Sequence, residues 1–389
     1  MSTPLHLAVA LDGAGWHPAA WREADARPAD LLTPGYWVDQ VREAEAGLLD
    51  LVTIEDALSL QSTDRRGPDE RTDQVRGRLD AVQVAARVAP LTRAIGLVPT
   101  AVVTHTEPFH LSKAIATLDF VSAGRAGVRV KVSGSPAEAA HVGRREVLGV
   151  QELFDEAADW VEVLRRLWDS WEDGAEIRDV ATGRFVDREK LHYIDFEGRS
   201  FSVKGPSITP RPPQGQPVVT ALAHEPVPYE LVGRSADLGF VTPRDPADAA
   251  RIVREVRSAQ AAAGRAEETV HVFGDLVVVL DDDAATARAR KDRLDEAAGA
   301  EYRSDALVVT GTPSGLADLL AEWAAAGLSG FRLRPATVPH DLRQITTGLV
   351  PELQRRGLFR TGYEAPTLRG LLGLPRPANR YATVRGASA

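Results

Sequence analysis

The chain has 389 residues, of which 44% are hydrophobic and 26% charged, and its formal net charge is −9. An acidic chain without a basic stripe and interleaved aromatic residues is a poor nucleic-acid binder, and the absence of cysteine excludes disulfides, thiolate metal ligands and cysteine nucleophiles. No apolar run reaches the roughly 18 residues of a membrane helix, and no secretory pattern opens the chain. We therefore expect a cytoplasmic protein that contacts neither nucleic acid nor membrane.

Eight apolar segments along the chain are predicted to be strands, and helical patterns separate them. This alternation predicts an α/β fold, an eight-stranded (β/α)8 TIM barrel with insertions. A doubly wound sheet is the competing topology, but no G-x-G-x-x-G motif follows the first strand. The predicted strands are 5–11, 50–54, 95–103, 128–132, 217–222, 238–242, 269–280 and 330–334.

The helix predicted over 152–171 has the clearest amphipathic pattern. Its apolar residues recur at spacings of three and four, which places them on one face. These residues are Trp160, Val163, Leu164, Leu167 and Trp171. The other predicted helices are 36–47, 79–88, 110–121, 231–235, 246–263, 312–326 and 341–356, and one more begins after the acidic residues 281–283.

We expect one domain over 1–389, with an insertion at 173–213 and a C-terminal extension at 357–389. Within the insertion, residues 192–196 and 200–203 are predicted to form a hairpin. The charged, turn-rich residues 61–77 have no periodicity, which is typical of a loop or lid.

Polar side chains follow several of the predicted strands. Asp12, Glu55 and Asp56 follow the first two, His105 follows the third and His224 follows the fifth. Because the carboxyl ends of barrel strands meet at one face, these residues are expected to converge there. Carboxylates and imidazoles at that face suit acid–base chemistry, whereas ordinary turn caps are the alternative. The histidines lack metal-ligand spacing, so no metal site is predicted.

Seven blocks of the sequence, in this order, resemble the bacterial luciferase-like flavin monooxygenases. The closest resemblance is to the branch of the nitrilotriacetate, EDTA and dibenzothiophene-sulfone monooxygenases. The blocks are LHLAVALDGAGWHPAAWR at 5–22, LLDLVTIEDAL at 48–58, EPFHLSKAIATLDFVSAGRAG at 107–127, FDEAADWVEVLRRLWDSWEDGA at 154–175, HYIDFEGRSFSVKGPSITPRPPQGQPVV at 192–219, GTPSGLADLLAEWAAAGLSGFRLRP at 311–335 and LVPELQRRGLFRTGYEAPTLRGLLGLPRP at 349–377.

The resemblance implies a luciferase-like barrel that is a homodimer or homotetramer. It also implies reduced FMN, supplied by a separate flavin reductase, and O2 acting on a small organic substrate, with the flavin at the carboxyl ends of the strands. The positions that correspond to flavin contacts in the family are Asp56, Thr104, His105, Arg129, Phe154, Ala223, His224 and Glu225, and Asp56 and His105 are the catalytic candidates.

The chain departs from the family pattern after the fifth strand. There the family reads approximately Gln-Ala-Gly-x-Ser and holds the flavin phosphate, whereas this chain has Glu225 followed by Pro226 and Pro228. A carboxylate about 4 Å from a phosphate is repelled by about 4 kcal/mol per pair of unit charges, and each proline removes an N–H donor. Arg129 or His224 could compensate if either reached the phosphate.

Three functions follow from these observations. The first is an FMN-dependent monooxygenase, of which a deazaflavin enzyme is a variant that must still place a phosphate. The second is a non-catalytic barrel, either a partner subunit or a small-ligand binder, that has lost the phosphate site. The third is a flavin-independent enzyme with an acid–base cluster of Glu55, Asp56, His105, His224 and Glu225.

Overall fold

The computed structural model describes residues 4–62 and 69–382, and in it eight parallel strands close into a barrel. These strands are β1 His6–Leu11, β2 Leu51–Ile54, β3 Gly96–Val102, β4 Gly127–Lys131, β9 Val218–Ala223, β10 Leu238–Val241, β11 His271–Leu280 and β13 Gly330–Pro335. The order around the barrel is β1-β2-β3-β4-β9-β10-β11-β13, which confirms the predicted fold. The barrel is closed because β1 pairs with both β2 and β13, and β10 pairs with β11.

The strands read as continuous apolar runs because helices cover the outside of the barrel. Side chains such as those of Thr33, Asp80, Asp283 and Thr312 cap helix N-termini by accepting backbone N–H bonds. The helices are α1 Pro34–Ala46, α2 Ala81–Val88, α3 Pro108–Val121, α4 Pro136–Val142, α5 Val150–Asp169, α6 Pro226–Ser235, α7 Pro246–Ala262, α8 Ala284–Ala298, α9 Pro313–Ala325, α10 His340–Arg343, α11 Val350–Arg355 and α12 Leu368–Leu371. No helix in the described ranges is both long and apolar enough to cross a bilayer.

The structure corrects several predicted boundaries. Helix α6 begins at Pro226, five residues before the predicted start, because proline is well suited to the first helical position. Helix α5 ends at Asp169, so Trp171 lies beyond the helix on which it was placed. Residues 63–68 of the predicted lid and 383–389 of the predicted extension lie outside the described residues.

Five further strands within the described residues lie outside the eight-stranded barrel, four in the insertion and one beside the second half of β11. The predicted hairpin is present, but its strands have two residues each. An unpredicted hairpin precedes it, and an unpredicted parallel strand pairs with the second half of the ten-residue β11. These strands are β5 Glu176–Asp179, β6 Arg184–Val186, β7 Phe196–Glu197, β8 Ser202–Val203 and β12 Leu307–Gly311.

The C-terminal segment closes the amino-terminal end of the barrel. Leu368 and Leu372 are buried in one cluster with Phe240 and Phe273 from the barrel strands. Gly96 starts β3 directly against them, since a Cβ there would lie 2.5 Å from Leu368 Cδ1. The opposite, carboxyl end of the barrel is left for the site.

We predict that Leu368→Ala lowers the free energy of unfolding by about 2–5 kcal/mol, because the side chain is fully buried and its removal leaves a cavity. Leu60→Ala, at an exposed leucine, is the matched control and should change it by less than about 0.5 kcal/mol. Urea denaturation of both variants measures the difference, and equal effects would contradict the packing described.

We also predict that stability falls as the pH is lowered from about 6.5 towards 4. His271 is 8% exposed and donates from Nε2 to the Leu372 carbonyl (2.8 Å), and burial lowers its pKa to about 4. An unfolded histidine has a pKa near 6.5, so within this window the unfolded chain binds a proton that the folded chain does not. Across this window His271 therefore lowers the free energy of unfolding by up to about 3 kcal/mol. Above the window it has no such effect. Denaturant unfolding at both ends of this pH window should show a smaller loss of stability in His271→Gln than in the wild-type protein. An equal loss in the two proteins would contradict the role assigned to His271.

Candidate active site

A buried carboxylate is shared by two arginines in the barrel interior. Asp275 of β11 accepts from Arg332 Nε (3.0 Å) and from Arg334 Nε (2.9 Å). All three side chains are at most 2% exposed. The two arginines are two residues apart on β13, so they project from the same face of the strand. Burial alone would raise the pKa of Asp275, but the guanidinium groups outweigh it and hold that pKa below its ordinary value.

The ion pairs continue to both sides of Asp275. On one side Arg334 donates to Asp305 (2.6 Å). On the other, Arg332 lies 3.6 Å from Glu55, which is also bound by Arg129 of β4. We call these six residues the central ion chain: Glu55, Arg129, Arg332, Asp275, Arg334 and Asp305. With three acids and three bases it carries no net charge.

Two aromatic rings cover the central ion chain. Arg332 lies over the ring of Phe240, 4.2 Å from its centroid, and Arg334 lies over the ring of Trp16 at 4.6 Å. Cation–π contacts of this kind gain strength where water is excluded. The central ion chain is therefore held both by its ion pairs and by the faces of these two aromatic rings.

Asp56, a predicted catalytic and cofactor residue, follows β2 at the mouth. Its two carboxylate oxygens accept from the N–H groups of Ala57 (2.7 Å) and Ala81 (2.9 Å), the latter at the start of α2. Burial raises the pKa of Asp56, and the two backbone bonds oppose the shift. Its carbonyl oxygen accepts from Lys131 Nζ (2.9 Å). These contacts give Asp56 a helix-capping role at the predicted place.

Thr104 and His105 follow β3 in a short 3-10 turn, Val103–His105. Thr104 Oγ1 accepts from the Ser133 N–H (2.9 Å). His105 Nε2 is buried and has no hydrogen-bond partner among the described residues. Burial, and next the charge of Arg145, lower the pKa of His105, so the ring is neutral near pH 7. His105 is thus a predicted site residue with an uncommitted nitrogen.

Arg129 and Phe154 do not face the expected phosphate turn. The Arg129 guanidinium binds Glu55 and Thr100 (3.0 Å), which lie on the β2 and β3 side of the barrel. Phe154 lies on α5, half-buried against the main hydrophobic core. Arg129 therefore does not supply the compensating charge considered from the sequence.

The turn after β9 contains Ala223, His224 and Glu225. Ala223 is buried at the end of the strand, whereas His224 and Glu225 are exposed beside a cavity of about 1000 Å³. His224 Nδ1 lies 3.6 Å from Asp305. Partial desolvation by the surrounding turn lowers the pKa of His224, so the ring is neutral near pH 7 and adds no positive charge for a phosphate.

This turn does not fit the phosphate of FMN. Glu225 is the N-cap of α6, and Pro226 and Pro228 leave Val227 as the one N–H donor among the first three helical residues. The Tyr229 N–H is already bonded to the Glu225 carbonyl. The charged residues that line the cavity are mostly acidic: Glu225, Asp245, Asp248 and Asp305 against Arg244 and Arg251.

Arg244 is the cation in this cavity that could meet an anion. Its side chain has no hydrogen bond or ion pair to any other residue within 4–62 and 69–382, whereas Arg251 is bound to Asp248 and Glu255 at 2.6 Å each. A single exposed arginine beside four carboxylates is a weak phosphate site. We therefore assign no flavin-dependent step to these residues.

Several residues of the site were not identified from the sequence. Asp275 is a lone charge inside an apolar strand, which signals a buried partner. Arg332 and Arg334 alternate in the last strand, which places both on one face. The Asp12 carboxylate is bound by Arg78 (2.6 and 3.0 Å), which comes directly after the predicted lid. The described residues contain no group of three or more acidic or histidine side chains that could hold a metal.

Comparisons with known proteins place the chain in a family. The sequence profile of the luciferase-like monooxygenases matches residues 14–330. The chain is 30% identical to nitrilotriacetate monooxygenase component A of Aminobacter aminovorans, covering 97% of this chain and 98% of that protein. It is 28% identical to the dibenzothiophene-sulfone monooxygenase of Rhodococcus erythropolis, covering 92% and 93%. The chain belongs to the luciferase-like monooxygenase family, as its sequence blocks predicted.

A solved structure supports the same fold. The crystal structure of a long-chain alkane monooxygenase superposes with a TM-score of 0.88 at 23% identity, covering 96% of each chain. The two relatives above are monooxygenases by name, so the enzyme class is that of an oxidoreductase.

We predict that Asp275→Asn lowers the free energy of unfolding by about 3–5 kcal/mol, because two buried guanidinium groups lose their shared counter-charge. Asp318→Asn, which breaks the exposed pair with Arg356, is the control and should cost less than about 1 kcal/mol. Denaturant titrations give both values. A loss at Asp275 no larger than at Asp318 would show that the central ion chain is not a constraint.

Proposed function

We propose that this protein is a flavin-dependent monooxygenase that uses O2 and reduced FMN from a separate reductase to oxidise a small organic substrate. The observation that carries the proposal is that the monooxygenase relatives match over more than nine-tenths of the chain. One of them is named as a component of a larger system, which agrees with a separate reductase. A homodimer or homotetramer is part of the proposal.

The carboxyl-end mouth is the place proposed for the reaction. Asp12 and Glu55 lie there beside a cavity of about 270 Å³, and residues 72–79 form one wall of it. Such a wall would exclude water from a reactive intermediate. His105, whose Nε2 is free among the described residues, is the group proposed to bond with a ligand at the mouth.

A second function is favoured by the turn at residues 223–228. Its carboxylate and two prolines oppose a phosphate, and Glu55 and Arg129 are committed to each other at the mouth. A barrel that kept the family scaffold and lost the flavin, as a partner subunit or a binder of small molecules, would have these features. The two proposals differ in whether reduced flavin binds.

We predict that reduced FMN binds the wild-type protein with a dissociation constant below about 100 µM, and that Glu225→Ser tightens binding about tenfold or more by removing the repulsion of the phosphate. Anaerobic titration followed by heat or flavin fluorescence measures both. Glu230→Ser, at an exposed glutamate of the same helix, is the matched control and should leave the affinity unchanged.

Three outcomes separate the proposals. No binding near 100 µM to either the wild-type protein or Glu225→Ser would exclude the monooxygenase and support the flavin-free barrel. Binding that Glu225→Ser does not change would place the phosphate away from Glu225. Equal tightening by Glu225→Ser and Glu230→Ser would indicate a general charge effect.

A further inference from the structure

A cavity of about 270 Å³ lies between residues 12–37 and residues 72–79 at the carboxyl end of the barrel. Trp21, Leu31, Trp37 and Leu79 contribute apolar wall, and Leu32 lies at the rim with 66% of its surface exposed. A volume near the lower end of the range for ligand pockets suits a small organic molecule.

Two tryptophans, Trp21 and Trp37, line this cavity. Trp21 Nε1 donates to the Asp73 carbonyl oxygen (3.1 Å), and Trp37 Nε1 donates to the Leu31 carbonyl oxygen (3.0 Å). Because both indole N–H groups are satisfied by the protein, neither needs a ligand acceptor. Each ring therefore contributes apolar surface that can pack against an apolar or aromatic ligand.

The charged side chains among the described residues of the wall are all paired. Arg78 forms a two-point contact with Asp12, Arg76 binds Asp69, and Glu55 binds Arg129. A ligand carboxylate entering this cavity would lose its water without gaining an unpaired cation. The wall therefore opposes polyanions and favours uncharged molecules.

We propose that this cavity is the substrate site and that it takes a small, uncharged, mainly apolar molecule. That the ligand is a substrate rests on the proposed function, but its binding at the cavity can be measured without any flavin. The proposal separates this protein from its relative named for nitrilotriacetate, a compound with three carboxyl groups, despite their 30% identity. Leu32 is the rim residue expected to be covered when the ligand binds.

The test uses the full chain without flavin and the uncharged fluorescent probe N-phenyl-1-naphthylamine. The expected result is saturable binding, displacement by dibenzothiophene sulfone, and no displacement by nitrilotriacetate at millimolar concentration. Leu32→Asp should weaken probe binding about tenfold or more, because it places a charge at an apolar rim. Val180→Asp, at an exposed valine of the β5–β6 hairpin, is the control and should leave the affinity unchanged.

Several results would overturn the proposal. These are no saturable binding of the probe, displacement by nitrilotriacetate as effective as by the sulfone, or equal affinities in Leu32→Asp and Val180→Asp. Both variants change exposed residues, and matching thermal transitions would show that each is folded. If the probe binds but reduced FMN does not, the monooxygenase is rejected and the apolar site is kept. If reduced FMN binds but the probe does not, only the apolar site is rejected.

Discussion

The Asp275 carboxylate, shared by Arg332 and Arg334, is the interaction on which the geometry of the barrel mouth depends. It joins β11 to β13, and through Glu55 and Arg129 the ion pairs reach β2 and β4. Buried ion pairs add little net stability, because the cost of removing charge from water offsets their attraction, yet losing one partner is expensive. The central ion chain thus acts chiefly by holding side chains in one arrangement.

This arrangement decides where a ligand has room. The centre of the mouth is occupied by paired charges, so the space next to the first two strands is the apolar cavity, and the space next to β9 and β10 is the acidic one. The first suits an uncharged organic molecule, and the second opposes a phosphate. The family scaffold is retained while the surroundings expected for a flavin phosphate are changed.

The barrel was predictable because each strand is a buried apolar run and its helices carry recognisable caps. The positions of Asp56 and His105 at the mouth were predictable for the same reason, since residues after barrel strands converge. The capping role of Asp56 was not predictable, because it depends on the N–H of Ala81, which lies 25 residues later in the chain. Nor could a single sequence pair Asp275 with partners 57 and 59 residues later.

A crystal structure of the protein grown with FMN tests the central claim most directly. We predict that Asp275 stays between the two guanidinium groups and that Glu55 stays on Arg129 when the flavin binds. A flavin ring seated over the ends of β2 and β4, with Glu55 displaced from Arg129, would contradict this prediction.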